Sequence, residues 1–378
     1  MSDNNTALGK GALTINTTGL NNTAVGAWSS ALATDGDQNS AFGTNALLIN
    51  DSSSNNTAIG VATLMSIIDN SDNNTAVGAN AGEFLTSGSK NNVAIGAQAL
   101  SGKDGDDNAS SDNVAVGYQA GMSNSTGQKN TYVGYQAGHS GSVGNNNVCI
   151  GNESGLNSTG DSNAFLGCGS GLNSQGIQNT YIGRAAGKSS LGSTGSNNVA
   201  VGFEAGRNNT SGSDNVCIGF KSGTENTTGQ KNTYVGYQAG HTGTVGHNNV
   251  CIGNESGLNS TGDSNAFLGC GSGLNSQGIQ NTYIGRAAGK SSLGSTGSNN
   301  VAVGFEAGVN NTSGTNNTYV GYQAGQTGQT GSDNFSNSTA IGANAQITSN
   351  NQIMLGGKND DEAYPTVVVN GGIVVNGG

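Results

Sequence analysis

Few residues in this chain are of types that catalyse reactions or bind cofactors. The first candidates are glycine-rich segments with a basic residue, which resemble phosphate-binding loops. Residues 183–189 read Gly-Arg-Ala-Ala-Gly-Lys-Ser, and the same segment recurs from Gly285. A phosphate-binding loop would need four residues between these glycines, and only three are present. Residues 167–171, Gly-Cys-Gly-Ser-Gly, have no strand–helix–strand context, which a dinucleotide site requires. We therefore expect no nucleotide and no other cofactor.

Histidines and aspartates are the candidate metal ligands. His139, His241 and His247 fall in predicted loops without a second type of ligand beside them. Asp104, Asp106 and Asp107 could approach a calcium ion, but no glutamate follows to complete a bidentate site. The sequence predicts local hydrogen bonding for the histidines, a solvated acidic turn for 104–107, and no metal site.

The cysteines and the hydroxyl residues do not form a recognisable catalytic set. The five cysteines are an odd number, and no pair has the spacing of metal ligands; they are Cys149, Cys168, Cys217, Cys251 and Cys270. No Ser/His/Asp arrangement or pair of carboxylates stands out from the turn residues. We expect reduced thiols and no enzymatic activity.

The composition indicates which partners are excluded. Formal net charge is −11 and charged residues make up 9% of the 378, so no basic surface is available for nucleic acid or an anionic membrane. No apolar run approaches 18 residues, which excludes membrane insertion by a helix. The first residues, Met-Ser-Asp-Asn-Asn, lack the features of a secretion signal. These observations predict synthesis and assembly in a cytoplasm.

The elements that position every one of these residues belong to one repeat, seen most clearly in Asn130-Thr-Tyr-Val-Gly134. Versions of it return about every 17 residues, giving 21 copies, of which the first 19 carry Asn four positions before the glycine. A short fixed period over a whole chain indicates one structural unit stacked on itself. The central glycines are Gly134, Gly151, Gly167, Gly183, Gly202, Gly219 and Gly236.

Each copy predicts one short β-strand that ends at the glycine. The residue before the glycine is always Val, Ile, Leu or Phe, and the residue three before it is Thr, Ser, Val, Ala or Ile. Because side chains alternate along a strand, these two positions share a face, which we predict to be the interior. The density of glycine excludes helices. The sequence thus predicts an all-β, parallel β-solenoid of about 21 coils.

The repeated asparagines predict a structural ladder. Equivalent Asn side chains in stacked coils can bond one another and the neighbouring turn backbone. In the central coils these residues are Asn130, Asn147, Asn163, Asn179, Asn198, Asn215, Asn232 and Asn249.

Domain organisation follows the repeat. Residues 129–206 recur almost unchanged at 231–308, a shift of six coils, so length in whole coils is a plausible object of selection. We predict a repeat rod over residues 1–356, roughly 100 Å long at about 4.8 Å per coil. Residues 357–378 are predicted to form a cap or a junction.

The motif resembles a known family. Residues 91–99, 113–120 and 337–345 are similar to the YadA-like head repeat of trimeric adhesins, which is also found in bacteriophage and large-virus fibre proteins. The resemblance extends from Asn5 to about Gly356. It implies a left-handed parallel β-roll with three chains packed side by side about a common axis.

An interchain face is also expected because the predicted core of a single coil is thin. Seventeen ordered residues cost about 1 kcal/mol or more each, which the predicted interior cannot offset alone. We predict that the residues two positions before and one position after the glycine face a neighbouring chain; the row after the glycine holds Tyr118, Tyr135, Phe203, Phe220, Tyr237, Phe305 and Tyr322. The row two positions before the glycine includes Tyr132, Cys149, Phe165, Tyr181, Cys217, Tyr234, Cys251, Phe267, Tyr283 and Tyr319.

Together these inferences predict a homotrimeric fibre on a virus or phage particle that attaches to a host receptor or glycan, in contact with other virion proteins. The enlarged turns at 101–112, 188–197, 290–299 and 326–337 are the predicted contact loops. A bacterial surface adhesin head is the first alternative. An ice-binding solenoid is the second, ranked lower because its threonines would have to lie outside.

Overall fold

The computed structural model describes residues 4–68, 70–86, 88–102, 109–140, 144–190, 192–242, 246–292, 294–326 and 334–357. The chain forms two compact units, Met1–Asp214 and Asn215–Gly378. The described part of each unit consists of short strands and turns without any helix. It therefore also contains no helix that could cross a membrane.

The described part of the first unit contains fifteen strands. They are β1 (Thr6–Leu8), β2 (Thr23–Val25), β3 (Leu32–Ala33), β4 (Ser40–Phe42), β5 (Ile49–Asn50), β6 (Thr57–Ile59), β7 (Ser66–Ile67), β8 (Thr75–Val77), β9 (Val93–Ile95), β10 (Val114–Val116), β11 (Thr131–Val133), β12 (Val148–Ile150), β13 (Ala164–Leu166), β14 (Thr180–Ile182) and β15 (Val199–Val201). All but β3, β5 and β7 pair in sequence as one parallel sheet.

The described part of the second unit has the same pattern, with one strand in each coil. Its nine strands are β16 (Val216–Ile218), β17 (Thr233–Val235), β18 (Val250–Ile252), β19 (Ala266–Leu268), β20 (Thr282–Ile284), β21 (Val301–Val303), β22 (Thr318–Val320), β23 (Thr339–Ile341) and β24 (Ile353–Leu355). The prediction of an all-β parallel solenoid of short coils is confirmed.

The strands pair in the register of the repeat. Tyr132 in β11 aligns with Cys149 in β12, and Cys149 aligns in turn with Phe165 in β13. Identical repeat positions therefore stack directly above one another, so each position forms a column along its unit.

The structure reverses the predicted faces of the strand. We call the residues two positions before each strand-ending glycine the middle row. The ten middle-row residues predicted to face a neighbouring chain are only 0–3% exposed within their own chain; they are Tyr132, Cys149, Phe165, Tyr181, Cys217, Tyr234, Cys251, Phe267, Tyr283 and Tyr319. The prediction of an interchain face here was wrong, because in a three-residue strand only the middle side chain points toward the buried turn of its own coil.

The turn that closes a coil also contributes to the interior, and two combinations of strand and turn residues recur. Where the middle row holds Ala41 or Ala58, a fully buried leucine lies four positions after the glycine, at Leu47 or Leu64. Where the middle row holds Tyr132, that turn position is glycine, and a β-carbon on Gly138 would collide with the tyrosine ring. In these coils the strand and the turn compensate for each other in volume. Where both are small, as at Ala115 and Gly121, the side chains of Leu100 and Tyr132 from the neighbouring coils occupy the space.

A second small sheet in the first unit was not predicted. Strands β3, β5 and β7 pair in parallel, with Leu32 aligned to Ile49 and Asn50 aligned to Ile67. The buried Ile67 shows that these coils extend their interior beyond the turn.

Two predictions fall largely outside the described residues. The acidic turn at 104–107 does so, and so does the cap or junction at 357–378 apart from Gly357. The enlarged turns predicted as contact loops are described only in part.

Candidate interaction surface

The repeated asparagines form a column of hydrogen bonds inside each unit. In the first unit the Oδ1 atoms of Asn130, Asn147, Asn163 and Asn179 each accept the backbone N–H of the next asparagine at 2.8–2.9 Å. In the second unit Oδ1 of Asn215 accepts the Asn232 N–H, and Oδ1 of Asn232 accepts the Asn249 N–H, both at 2.9 Å.

The amide nitrogens of the same column hold the turns. Nδ2 of Asn130 donates to the carbonyl of Gly144 at 2.9 Å, and Nδ2 of Asn198 donates to that of Gly212 at 2.9 Å. These side chains are buried, so the bonds are shielded from water. The asparagines therefore serve the scaffold and are not available to a ligand.

The strand-ending glycines allow the coils to approach one another. Their φ angles lie between +129° and +138°, for Gly134, Gly151, Gly167, Gly183, Gly202, Gly219 and Gly236. A β-carbon on Gly134 would also meet the carbonyl of Gly151 in the next coil. Both the backbone angle and the close stacking therefore exclude other residues.

The outer stripe, defined as the residue just before each strand-ending glycine, is an apolar column on the outside of each unit. It is apolar in all 21 copies of the repeat. In the second unit its exposure reaches 40% at Ile218, 41% at Ile252 and 44% at Ile341. Contiguous apolar patches of this kind are uncommon on monomers, which makes the stripe the candidate interaction surface.

The flanking row, defined as the residue just after each strand-ending glycine, carries stacked aromatic rings beside the stripe. Phe305 and Tyr322 have ring centroids 5.3 Å apart and planes 8° apart, and the Arg286 guanidinium lies 5.4 Å from the Phe305 ring. Tyr118 stacks on Tyr135 in the first unit. Because these rings face one another, they offer outward edges rather than a flat platform for a sugar ring.

The threonine row, three positions before each strand-ending glycine, also points outward. Thr57, Thr131 and Thr233 are half-buried, and their hydroxyls have no hydrogen-bond partner among the described residues. The placement of these threonines inside the solenoid was wrong for the same reason as the placement of the middle row outside it.

The five cysteines divide into two environments. Cys149, Cys217 and Cys251 are buried in the middle row, whereas Cys168 and Cys270 are exposed in the flanking row. Burial raises the pKa of the Cys149 and Cys217 thiols to about 12. Only the two exposed thiols can react readily in the folded chain.

The residues considered as phosphate-binding groups or metal ligands do not cluster in the described part of the chain. Arg184 lies over the Phe203 ring at 5.4 Å. Nδ1 of His139 lies 2.7 Å from the Ser140 hydroxyl, and burial lowers the pKa of this histidine. Nδ1 of His247 accepts the Gln230 N–H at 3.2 Å. In the described part of the chain, no three His, Cys, Asp or Glu side chains converge as a metal site.

Comparison with known protein families and with curated proteins finds no match. The outer stripe, which the sequence analysis placed inside, is the candidate interaction surface. Every Tyr, Phe and Cys of the middle row is accompanied by glycine at the turn position, and this size relation could have located the interior.

Proposed function

We propose that the chain is a structural fibre protein that assembles as a homotrimer through its outer stripe. The observation that carries this proposal is the outward column of Val, Ile, Leu and Phe within each unit, with exposures near 40% at Ile95, Ile150 and Ile182. Covering such a column with identical columns removes apolar surface from water at every coil. The number three rests on the resemblance to YadA-like head repeats.

The role of the fibre in this proposal is host attachment by a virus or phage particle. Stacked coils joined by buried hydrogen bonds are suited to a fibre that projects from a particle. The turns can vary in sequence without disturbing the asparagine ladder. A role other than catalysis is part of the proposal. Labelling intact particles with an antibody against the chain tests the location, and labelling confined to a bacterial cell surface would favour the adhesin alternative.

Thiol accessibility tests the interchain face. Cys168 and Cys270 lie in the flanking row beside the stripe, so assembly should protect both. The native assembly should sediment at three times 37.3 kDa and show none of its five thiols reactive toward a disulfide reagent. Mild dissociation should expose two thiols and denaturation all five. A stable 37.3 kDa monomer with two reactive thiols would refute the proposed assembly.

A second candidate, ice binding, is favoured by one observation. The threonine row presents unpartnered hydroxyls on regularly stacked strands, next to the aliphatic outer stripe. The array is interrupted, for example by Val148 and Ala164, which is why the fibre is preferred. Inhibition of ice recrystallisation by the chain, and its loss in a Thr57→Asp variant, would support this candidate instead.

A further inference from the structure

A cavity of about 480 Å³ opens beside the last described coils of the second unit. Its lining consists of amide side chains, one hydroxyl, one thioether and backbone: Gln323, Gln326, Asn344, Gln346, Thr348, Met354, Gly356 and Gly357. None of these residues carries a charge, and none belongs to the outer stripe. The volume lies within the range usual for small-ligand sites.

The cavity exists because the repeat shortens here. Gly342 and Gly356 are only 14 residues apart, so the coil between them has a smaller turn than its predecessors. The middle-row residue of the last coil, Met354, is left half-buried instead of sealed. Gly357 packs against the backbone of Asn344, where a β-carbon would collide. One side of the cavity is therefore formed by the closely packed backbone at Gly357 and by the apolar side chain of Met354.

The fold does not use most of these amides. Nε2 of Gln323 donates to Oε2 of Glu306 at 2.7 Å, which fixes this side chain and leaves its carbonyl oxygen available. The side chains of Gln326, Asn344 and Gln346 have no hydrogen-bond partner among the described residues, and Asn344 and Gln346 are exposed, so both are accessible to a ligand. By contrast, the ladder residue Asn232 is bonded at both ends of its amide.

Primary amides offer a donor and an acceptor side by side, which matches the neighbouring hydroxyls of a sugar ring. The Met354 thioether can contact the apolar face of such a ring. The Glu306 carboxylate beside Gln323 and the absence of a cation among the described lining residues disfavour anionic ligands. We propose that this cavity binds a neutral saccharide unit. The inference rests on the proposed function in one respect, because it names the class of receptor that the fibre would contact.

Saturation-transfer NMR on the full chain tests the proposal. The probes are galactose, N-acetylglucosamine, N-acetylgalactosamine and lactose, with N-acetylneuraminic acid as an anionic comparison. We expect transfer to at least one neutral sugar. The double variant Gln326→Ala/Gln346→Ala should weaken that binding roughly tenfold or more, since two hydrogen-bonding groups are lost. Gln230→Ala, which removes an exposed amide elsewhere in the unit, should leave binding unchanged.

Three results would overturn the inference: no transfer to any neutral sugar, binding of the anionic sugar alone, or equal binding by the double variant and the wild type. Sedimentation of the same samples separates this inference from the proposed function. If the chain is a trimer but binds no sugar, only the proposed saccharide site is refuted. If it is a monomer whose sugar binding depends on Gln346, only the proposed fibre is refuted.

Discussion

The ring of Tyr132 fills the space that a β-carbon on Gly138 would occupy. Gly240 stands in the same relation to Tyr234 in the second unit. In these two coils the ring in the strand therefore restricts the turn position to glycine.

Replacing Gly138 with alanine should destabilise the first unit by about 2–4 kcal/mol, from overpacking against Tyr132 and from a φ of +62°. Gly169→Ala is the matched control, because Gly169 has the same φ of +62° and a β-carbon added there would meet nothing within 4 Å. The control should lose only about 1 kcal/mol. Urea unfolding measures both, and equal losses would contradict the packing argument.

Asn232→Ala should cost about 2–4 kcal/mol, because it leaves two buried backbone groups unpaired. The N–H of Asn249 loses its acceptor at 2.9 Å and the carbonyl of Gly246 loses its donor at 2.7 Å. Gln230→Ala, on the exposed corner of the same coil, should change the free energy of unfolding little. Thermal unfolding of the two variants side by side decides whether the ladder stabilises the fold.

An aspartate should have opposite consequences at two adjacent positions of β17. Tyr234→Asp places a carboxylate in the sealed interior and should unfold the surrounding coils, since Tyr234 is 3% exposed. Val235→Asp, in the half-buried outer stripe, should preserve the circular dichroism spectrum of the chain but reduce its sedimenting mass. If Val235→Asp destabilised the fold more than Tyr234→Asp, the assignment of the interior and exterior faces of β17 would be wrong.

Alkaline pH should weaken the fold through its buried thiols. Burial raises the pKa of Cys149 and Cys217 to about 12, whereas the unfolded thiols ionise near 8.5–9. Their contribution to stability is thus complete below about pH 9 and is lost as the pH rises toward 12, at roughly 1.4 kcal/mol per thiol and pH unit.

Urea unfolding at a series of pH values measures this loss. Cys149→Ala/Cys217→Ala should flatten the decline, and alanine is already accommodated in the middle row at Ala200. A decline of the same steepness in both proteins would assign the effect to other groups, such as the buried tyrosines.

The coils and their register could be predicted from the sequence because every copy carries the same glycine and the same strand length. The direction in which the strand faces could not. Alternation separates Tyr132 from Val133, but both are apolar, and hydrophobicity alone cannot then choose the interior. The choice is made by the turn, whose buried Ala137 lies opposite the middle row.

The cavity near Asn344 could not be predicted from the sequence, for a different reason. Its residues are ordinary turn residues in sequence, separated by up to 34 positions, and only the shortened last coil brings Gln323 and Gly357 to one site. Periodicity predicts where the pattern repeats, and a ligand site arises here where the pattern fails.

The asparagine ladder also bears on how the chain is made. Each ladder bond joins residues only 16 to 21 positions apart, as between Asn130 and Asn147 or Asn92 and Asn113. A finished coil already presents the Oδ1 acceptor that the following coil needs. The nascent chain can therefore fold in the order in which it leaves the ribosome, each coil templating the next, without waiting for distant segments.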